Sequence, residues 1–326
     1  NRFRDLLDRH LGRKTGIVTG ESGLVMLDAV LRAKQSVDIG MFQAESAPLL
    51  QSLKAQQTLG VQIRMMVTPP HLAADPAKAT EVGWMNQVAR NLLGESSVRF
   101  DPEAQKLTTT GKPLVRYAHQ KFIGIDLDSD DIQDAAVMIG SFNMTRGALG
   151  QIIDRAGNLV RRGPHNFEMG FHISYDLVGR GLKEGSFKDI IQEARDYRNW
   201  LWDRTNTRLQ PLGYNPEHIL TGPQTHARIQ KSLGSTDVKV NAFFMLNVMT
   251  DRGMVDLTGE GAEGKGLYHD IRQKLTDGSG SKVTIFVSKG FQNLRVQDIG
   301  GEQDPEKSKA FRMLRELQSD FKGSFQ

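Results

Sequence analysis

Cysteine is absent from all 326 residues. That excludes disulfides and thiolate metal sites, and it leaves the compartment open. No run of about 18 apolar residues occurs, so no segment reads as a transmembrane helix. The N-terminal residues are polar and basic, without the apolar stretch of a signal peptide. The 8 histidines include no H-x3-H pair or His/Asp cluster of the kind zinc hydrolases use. The excess of positive charge is small, +4, and the Lys/Arg clusters at 9–14 and at Arg161-Arg162 are short. No basic stripe interleaved with aromatics marks a nucleic-acid surface, although a mild positive bias suits any phosphate-bearing substrate. What remains is ordinary for a globular protein: 38% hydrophobic and 25% charged residues, enough for two domains or one large bilobal one. This composition fits a bacterial secreted or periplasmic protein and a cytosolic one equally.

The most informative stretch is Arg116 to Asp126, which contains His119, Lys121 and Asp126 in the arrangement H-x-K-x4-D. Residues 117 to 125 alternate as a strand does. His119, Lys121, Ile123 and Ile125 share one face, and Ala118, Gln120, Phe122 and Gly124 the other. An imidazole and an ammonium therefore project together from a short rigid element. Histidine is suited to proton transfer or nucleophilic attack near neutral pH. Lysine is a point charge suited to a phosphate oxygen. Ala136 to Phe142 reads as the next buried strand, with Gly140 allowing a substrate or another backbone to come close. Ser141 and Asn143 offer a hydroxyl and an amide as further phosphate ligands. A lone H-x-K on a strand is usually a surface feature; Asp126 and the Gly-Ser-x-Asn strand are what turn it into a site.

Together the two pieces resemble the HKD signature of the phospholipase D superfamily. The resemblance implies an active site built from two such motifs related by pseudo-twofold symmetry. One histidine attacks phosphorus to form a phosphohistidine. The other protonates the leaving group and then activates water or an acceptor alcohol, and neither a metal nor an organic cofactor is needed. Carried onto this chain, His119 is the nucleophile or the acid-base, Lys121 and Asn143 bind phosphate, and Ser141 assists. Asp126 is grouped with them but is expected to orient backbone and strand packing. An acidic residue on a later strand commonly bonds the catalytic histidine in this family, and Glu168 in Asn166-Phe-Glu-Met-Gly170 is the candidate. Phosphodiesters, phospholipids first, are the implied substrates, with peripheral contact to a membrane surface. A nuclease of the same superfamily and a catalytically silent binding half are the alternatives.

The likeness extends past the motif. An amphipathic helix is expected over Ser22 to Lys34, with a stripe of Leu24, Leu27 and Leu31 beside Val25 and Val30. A strand over 36–42, a helix over 47–58 and a strand over 60–68 stopped by Pro69-Pro70 follow. A helical stretch is expected near 78–93. The helix over 188–203, ending Trp200-Leu-Trp202, resembles one that closes the first half in several family members. The long connections 69–112 and 144–165 are expected to rim the site and set substrate choice. Met65, Met66, Met144 and Trp84 read as core, although Met144, next to Asn143, would also suit an acyl chain.

The chain then begins again. Asp237 to Phe244 echoes Ser36 to Phe42 at an offset of 201, and Lys282 to Ser288 echoes Gln62 to Thr68 at 220. Two diverged copies of one unit would pack as a pseudo-dimer. His119 projected forward by the larger offset falls beyond Gln326, and no second H-x-K-x4-D occurs. Thr225-His-Ala-Arg228 has Arg for Lys, no suitably placed Asp, and precedes its repeat's first strand. The second motif is therefore expected from residues beyond 326 or from a second copy of the chain, and the opening Asn1 fits a processed piece. Expected domains are 1–205 with the motif, a linker over 206–236, and the start of a second repeat over 237–326. The expected fold class is α/β: two pseudo-symmetric phospholipase D-like lobes, each a mixed, mostly parallel sheet flanked by helices.

Two other matches carry nothing. Gly259 to Lys265 fits G-x-G-x-x-G, but Gly266 stands where a P-loop needs Ser or Thr, and Glu260 and Glu263 would repel phosphate. Asn143-Met-Thr145 is a formal glycosylation sequon on the phosphate-binding strand, where a glycan would block the site.

Overall fold

Short runs rich in Val, Ile and Met between Gly, Pro and polar breakers become strands, and the longer periodic segments become helices. The computed structural model describes residues 16–19, 22–69, 76–102, 120–145, 151–153, 159–161, 169–202, 216–219, 228–229, 231–235, 239–246, 267–287 and 309–324. Contacts divide the chain into two units, Asn1–Ile219 and Leu220–Gln326.

The first unit starts with β1 (Ile17–Thr19), α1 (Ser22–Arg32), β2 (Ser36–Met41), α2 (Ala47–Thr58), β3 (Gln62–Val67), α3 (Pro76–Leu93) and β4 (Val98–Phe100). It continues with β5 (Lys121–Ile125), β6 (Ala136–Gly140), a small hairpin of β7 (Gln151–Ile153) and β8 (Leu159–Arg161), β9 (Met169–Ser174) and α4 (Glu184–Trp202). Seven strands form one sheet in the order β1-β9-β6-β5-β2-β3-β4. The β2–β3 and β3–β4 pairs are parallel, and the others antiparallel. Only β5 and β9 therefore run against the rest. The sheet is mixed and flanked by helices on both faces, but with two parallel and four antiparallel pairings it is not the mostly parallel sheet expected.

Alternation along each strand decides which face a side chain joins. Ile39, Met41, Met65, Ile123 and Met138 pack with α1, α2 and α3 in one cluster. Phe122 and Val137 face the other way, onto Phe187, Ile190, Ile191 and Ala194 of α4. The stripe of α1 is rotated from the expected one. Met26 and Ala29 are buried beside Val25 and Val30, whereas Leu31 is 45% exposed. Met65, Met66 and Met144 are all buried. Met144 is thus core and does not face a ligand, and the side chain of Trp84 lies outside the described residues.

Charge fastens α4 to the sheet. Arg198, buried in α4, makes a two-pronged bond to Asp128 at 2.7 and 2.8 Å and reaches Asp38 on β2 at 3.3 Å. Arg64 on β3 pairs with the same Asp38. Burial pushes the Asp38 carboxyl above its ordinary value, and Arg64 and Arg198 oppose that push. A buried carboxylate is tolerated because cations surround it. At the other side of α4, Glu193 accepts the backbone N–H groups of Glu217, His218 and Ile219 at 2.8 to 2.9 Å. Ile219 is buried in the α4 cluster, so the end of 206–219, expected as linker, packs with the first unit.

The second unit contains β10 (Asn241–Leu246), α5 (Leu267–Thr276), β11 (Lys282–Val287) and α6 (Lys309–Asp320). Strands β10 and β11 are parallel, and Tyr268, Ile271, Val283, Leu314 and Leu317 form a core of their own. This repeats the β2–α2–β3 arrangement. The pairing corrects the register of the echo. Ser36 stands opposite Gln62 in the first unit, and Asn241 opposite Lys282 in the second. Asn241, not Asp237, is the counterpart of Ser36. The slip of four residues is invisible to a period-of-two pattern. Among the described residues no helix is long and apolar enough to cross a membrane.

Candidate active site

Strand direction gathers the site. Register places Met41 beside both Lys121 and Val67, Val67 beside Phe100, and Gly140 beside Gly170. The last residues of β2, β3, β4 and β6 and the first residues of β5 and β9 therefore share one end of the sheet. Ligands of open α/β sheets bind at this kind of edge.

Lys121 opens β5 there. It is only 7% exposed, and its Nζ lies 5.5 Å from the centre of the Phe42 ring, just past the end of β2. The ring face attracts the ammonium and excludes water on that side. Lys121 points to the same face as Ile123 and Ile125. His119 itself lies outside the described residues.

Ser141 and Asn143 follow β6. Ser141 is exposed, and Asn143 is half-buried between Phe142 and Met144, which are 0% and 1% exposed. These two apolar neighbours hold the backbone of Asn143 in place. Among the described residues its buried Oδ1 and the buried Oε1 of Gln120 accept no hydrogen bond.

Of the two close approaches that Gly140 was expected to allow, the structure shows the one by another backbone. A Cβ there would stand 2.2 Å from Phe142 Cε1 and 2.8 Å from Gly170 Cα. On β9, a Gly170 Cβ would stand 2.3 Å from the same ring atom. The close approach is by a neighbouring strand and the Phe142 ring, which lies against the paired glycines.

Asp126 is not brought to this edge. It ends β5, roughly 16 Å of extended chain from Lys121. It is 1% exposed, with φ of 47°, in the left-handed region that Asp and Asn tolerate. Its Oδ1 accepts from Gln35 N and Ser36 N at 2.7 Å, and its Oδ2 from Lys34 N at 2.8 Å. The carboxylate is used up in closing the α1–β2 turn. Glu168 lies outside the described residues, as do His165, Thr225 to Ala227 and Gly259 to Lys265. His172 sits on β9 opposite Met138, two strand positions away from the glycine pair.

One residue carries no signal in the sequence. Asn86 sits within the 18-residue helix α3 and is fully buried. It bonds backbone atoms just past the ends of β2 and β3. A polar residue inside a helical pattern reads as surface, and only tertiary contacts reveal it.

A family profile described as "Cardiolipin synthase, PLD-like domain" matches residues 26–160, from α1 through the Asn143 segment to β8. No curated protein sequence matches the chain. Among solved structures, the phosphatidylserine synthase of Haemophilus influenzae Rd KW20 is 10% identical with a TM-score of 0.52, covering 100% of this chain and 76% of that one. Nuc, a phospholipase D family member from Salmonella typhimurium, is 15% identical with a TM-score of 0.37, covering 57% of this chain and 92% of that one. NucT from Helicobacter pylori is 13% identical with a TM-score of 0.36, covering 57% and 94%. The likeness to the synthase shows a common fold, and the profile runs through the strands that hold Lys121 and Asn143. Residues 26–160 are thus similar to a PLD-like domain, the kind that defines the phospholipase D superfamily.

Proposed function

We propose that this chain cleaves or transfers the head group of a phospholipid, with His119 as the reacting histidine and Lys121 and Asn143 as phosphate ligands. Members of the superfamily are phosphodiesterases, which sets the reaction class. The observation that carries the assignment of roles is the buried Lys121 on the same sheet edge as Asn143. A lysine so placed offers charge to a phosphoryl oxygen with little competition from water. A lipid is favoured as substrate because the matching profile is described by a lipid synthase.

The reaction runs in two displacements. An imidazole nitrogen of His119 bonds to phosphorus while the bond from phosphorus to the departing alcohol breaks. A second histidine gives that alcohol its proton. Water or an acceptor alcohol then loses a proton to the second histidine and displaces His119 from phosphorus. Lys121 and Asn143 hold the phosphoryl oxygens throughout. The second histidine comes from a second such motif, and the membrane is a peripheral contact. Glu168 is the proposed partner of a site histidine.

The test incubates the intact natural protein with phospholipid vesicles and, separately, with single-stranded DNA. Head-group release from vesicles that disappears in His119→Ala supports the reading. Cleavage of DNA alone moves the protein to the nucleases. Phosphate binding with neither activity makes it a silent binding half.

A further inference from the structure

We propose that Asn86 is a positioning residue for the phosphate site: one buried amide on α3 that sets where both Lys121 and Asn143 stand. The proposal rests on the phosphodiesterase reading above.

The Asn86 side chain bonds to backbone at three points. Its Nδ2 donates to Phe42 O at 3.1 Å and to Thr68 O at 2.8 Å, and its Oδ1 accepts from Ala44 N at 3.0 Å. These three points lie just after β2 and β3. From there the constraint passes on by hydrogen bonds. Ala44 bridges to Met144, Glu45 N and Ser46 N both donate to Met144 O at 2.9 Å, and Met144 N donates to Gln43 O at 3.1 Å. Asn143 is the residue before Met144, so its backbone is referenced to the 43–46 loop. Phe42, whose carbonyl Asn86 holds, presents its ring to the Lys121 ammonium. Two phosphate-binding groups on different strands are thus tied to one amide on a helix that supplies no ligand itself. A fully paired buried amide is rigid, and losing it would remove all three bonds that tie the segment after β2 to α3, so that segment is free to shift. Sites that orient a reacting group lose function for shifts of about 1 Å.

The probe is inorganic phosphate, titrated calorimetrically into the full chain and its variants. Lys121→Ala and Asn143→Ala should each lose phosphate affinity. Asn86→Ala should weaken it about tenfold. Gln56→Ala is the matched control. Gln56 is also buried and amide-bonded, to Val30 O at 2.9 Å, beside the starts of β2 and β3. It should lower the melting temperature similarly and leave phosphate affinity unchanged. If Asn86→Ala does not fold, Asn86→Asp keeps the size and the acceptor for Ala44 while setting a carboxylate against two carbonyls, and it should show the same loss. Hydrogen exchange of the unaltered chain needs no variant: phosphate should slow the Ala44, Glu45 and Ser46 amides together. Normal phosphate affinity in a folded Asn86 variant, or unchanged exchange at 44–46 with phosphate bound, overturns the role of Asn86 alone. Equal phosphate affinity in the unaltered chain and in Lys121→Ala overturns the function with it.

Discussion

The two ends of the seven-stranded sheet treat their polar groups in opposite ways. Where β5 finishes and β2 and β3 start, charge is matched within the chain. Asp126 takes three backbone N–H groups, and Asp38 is met by Arg64 and Arg198. At the other end Lys121 is buried beside an aromatic ring, and the buried Oδ1 of Asn143 accepts no hydrogen bond among the described residues. Burial is similar, so solvent does not explain the difference. One end spends its charged groups on holding the fold, and the other gathers Lys121 and Asn143 where the proposed phosphate would lie.

The comparison can be broken most forcefully through Arg198. Arg198→Ala leaves Asp38 buried with one cation fewer and should cost about 4 kcal/mol of stability in urea unfolding, with catalysis per folded molecule retained. A small loss would mean that the charged clamp is not what fastens α4. At the opposite end the expectation reverses. Lys121→Ala should lower turnover by about 10³-fold while the melting temperature holds or rises, because a buried ammonium is removed. Unfolding without selective loss of turnover would erase the distinction between the ends. A smaller effect belongs to Asp126→Asn. Asn tolerates the left-handed φ and can still accept from Gln35 and Ser36, but it presents an amide to Lys34 N, so about 2 kcal/mol should be lost and activity per folded molecule kept. The smallest concerns acid. The bond from Arg198 holds the Asp128 carboxyl below its ordinary value. Its contribution is present above the usual carboxylate pKa of about 4 and is lost as pH falls through the lowered one. Asp128→Asn should therefore be less stable than the parent at pH 7, with the gap closing in acid; a gap that stays constant would refute the linkage.

Alternation and helical spacing made most of the first unit legible. The bounds expected for α2 and for the start of β2 agree with the structure, because Gly, Pro and polar residues punctuate those segments. The reading of Asp126 as a backbone organiser was implied by the family resemblance, and its three bonds to backbone N–H groups fit it. Three features escaped. The stripe of α1 was read from its leucines, but Met26 and Ala29 fit the sheet and Leu31 does not. The β10 register slipped by four because Val238 and Val240 alternate like the strand itself. Asn86 and Arg198 are polar residues in helices, and nothing local distinguishes one that is buried and paired from one in water.

The three bonds to Asp126 carry a consequence for the order of synthesis. They join residues 34–36 to a side chain 90 to 92 positions later. As the chain leaves the ribosome, β2 and β3 can meet early, because they are close in sequence. The N–H groups of the turn before β2 stay open to water until residue 126 arrives. The N-terminal third of the first unit is thus held short of completion, and the segment that carries Lys121 is the one that closes it.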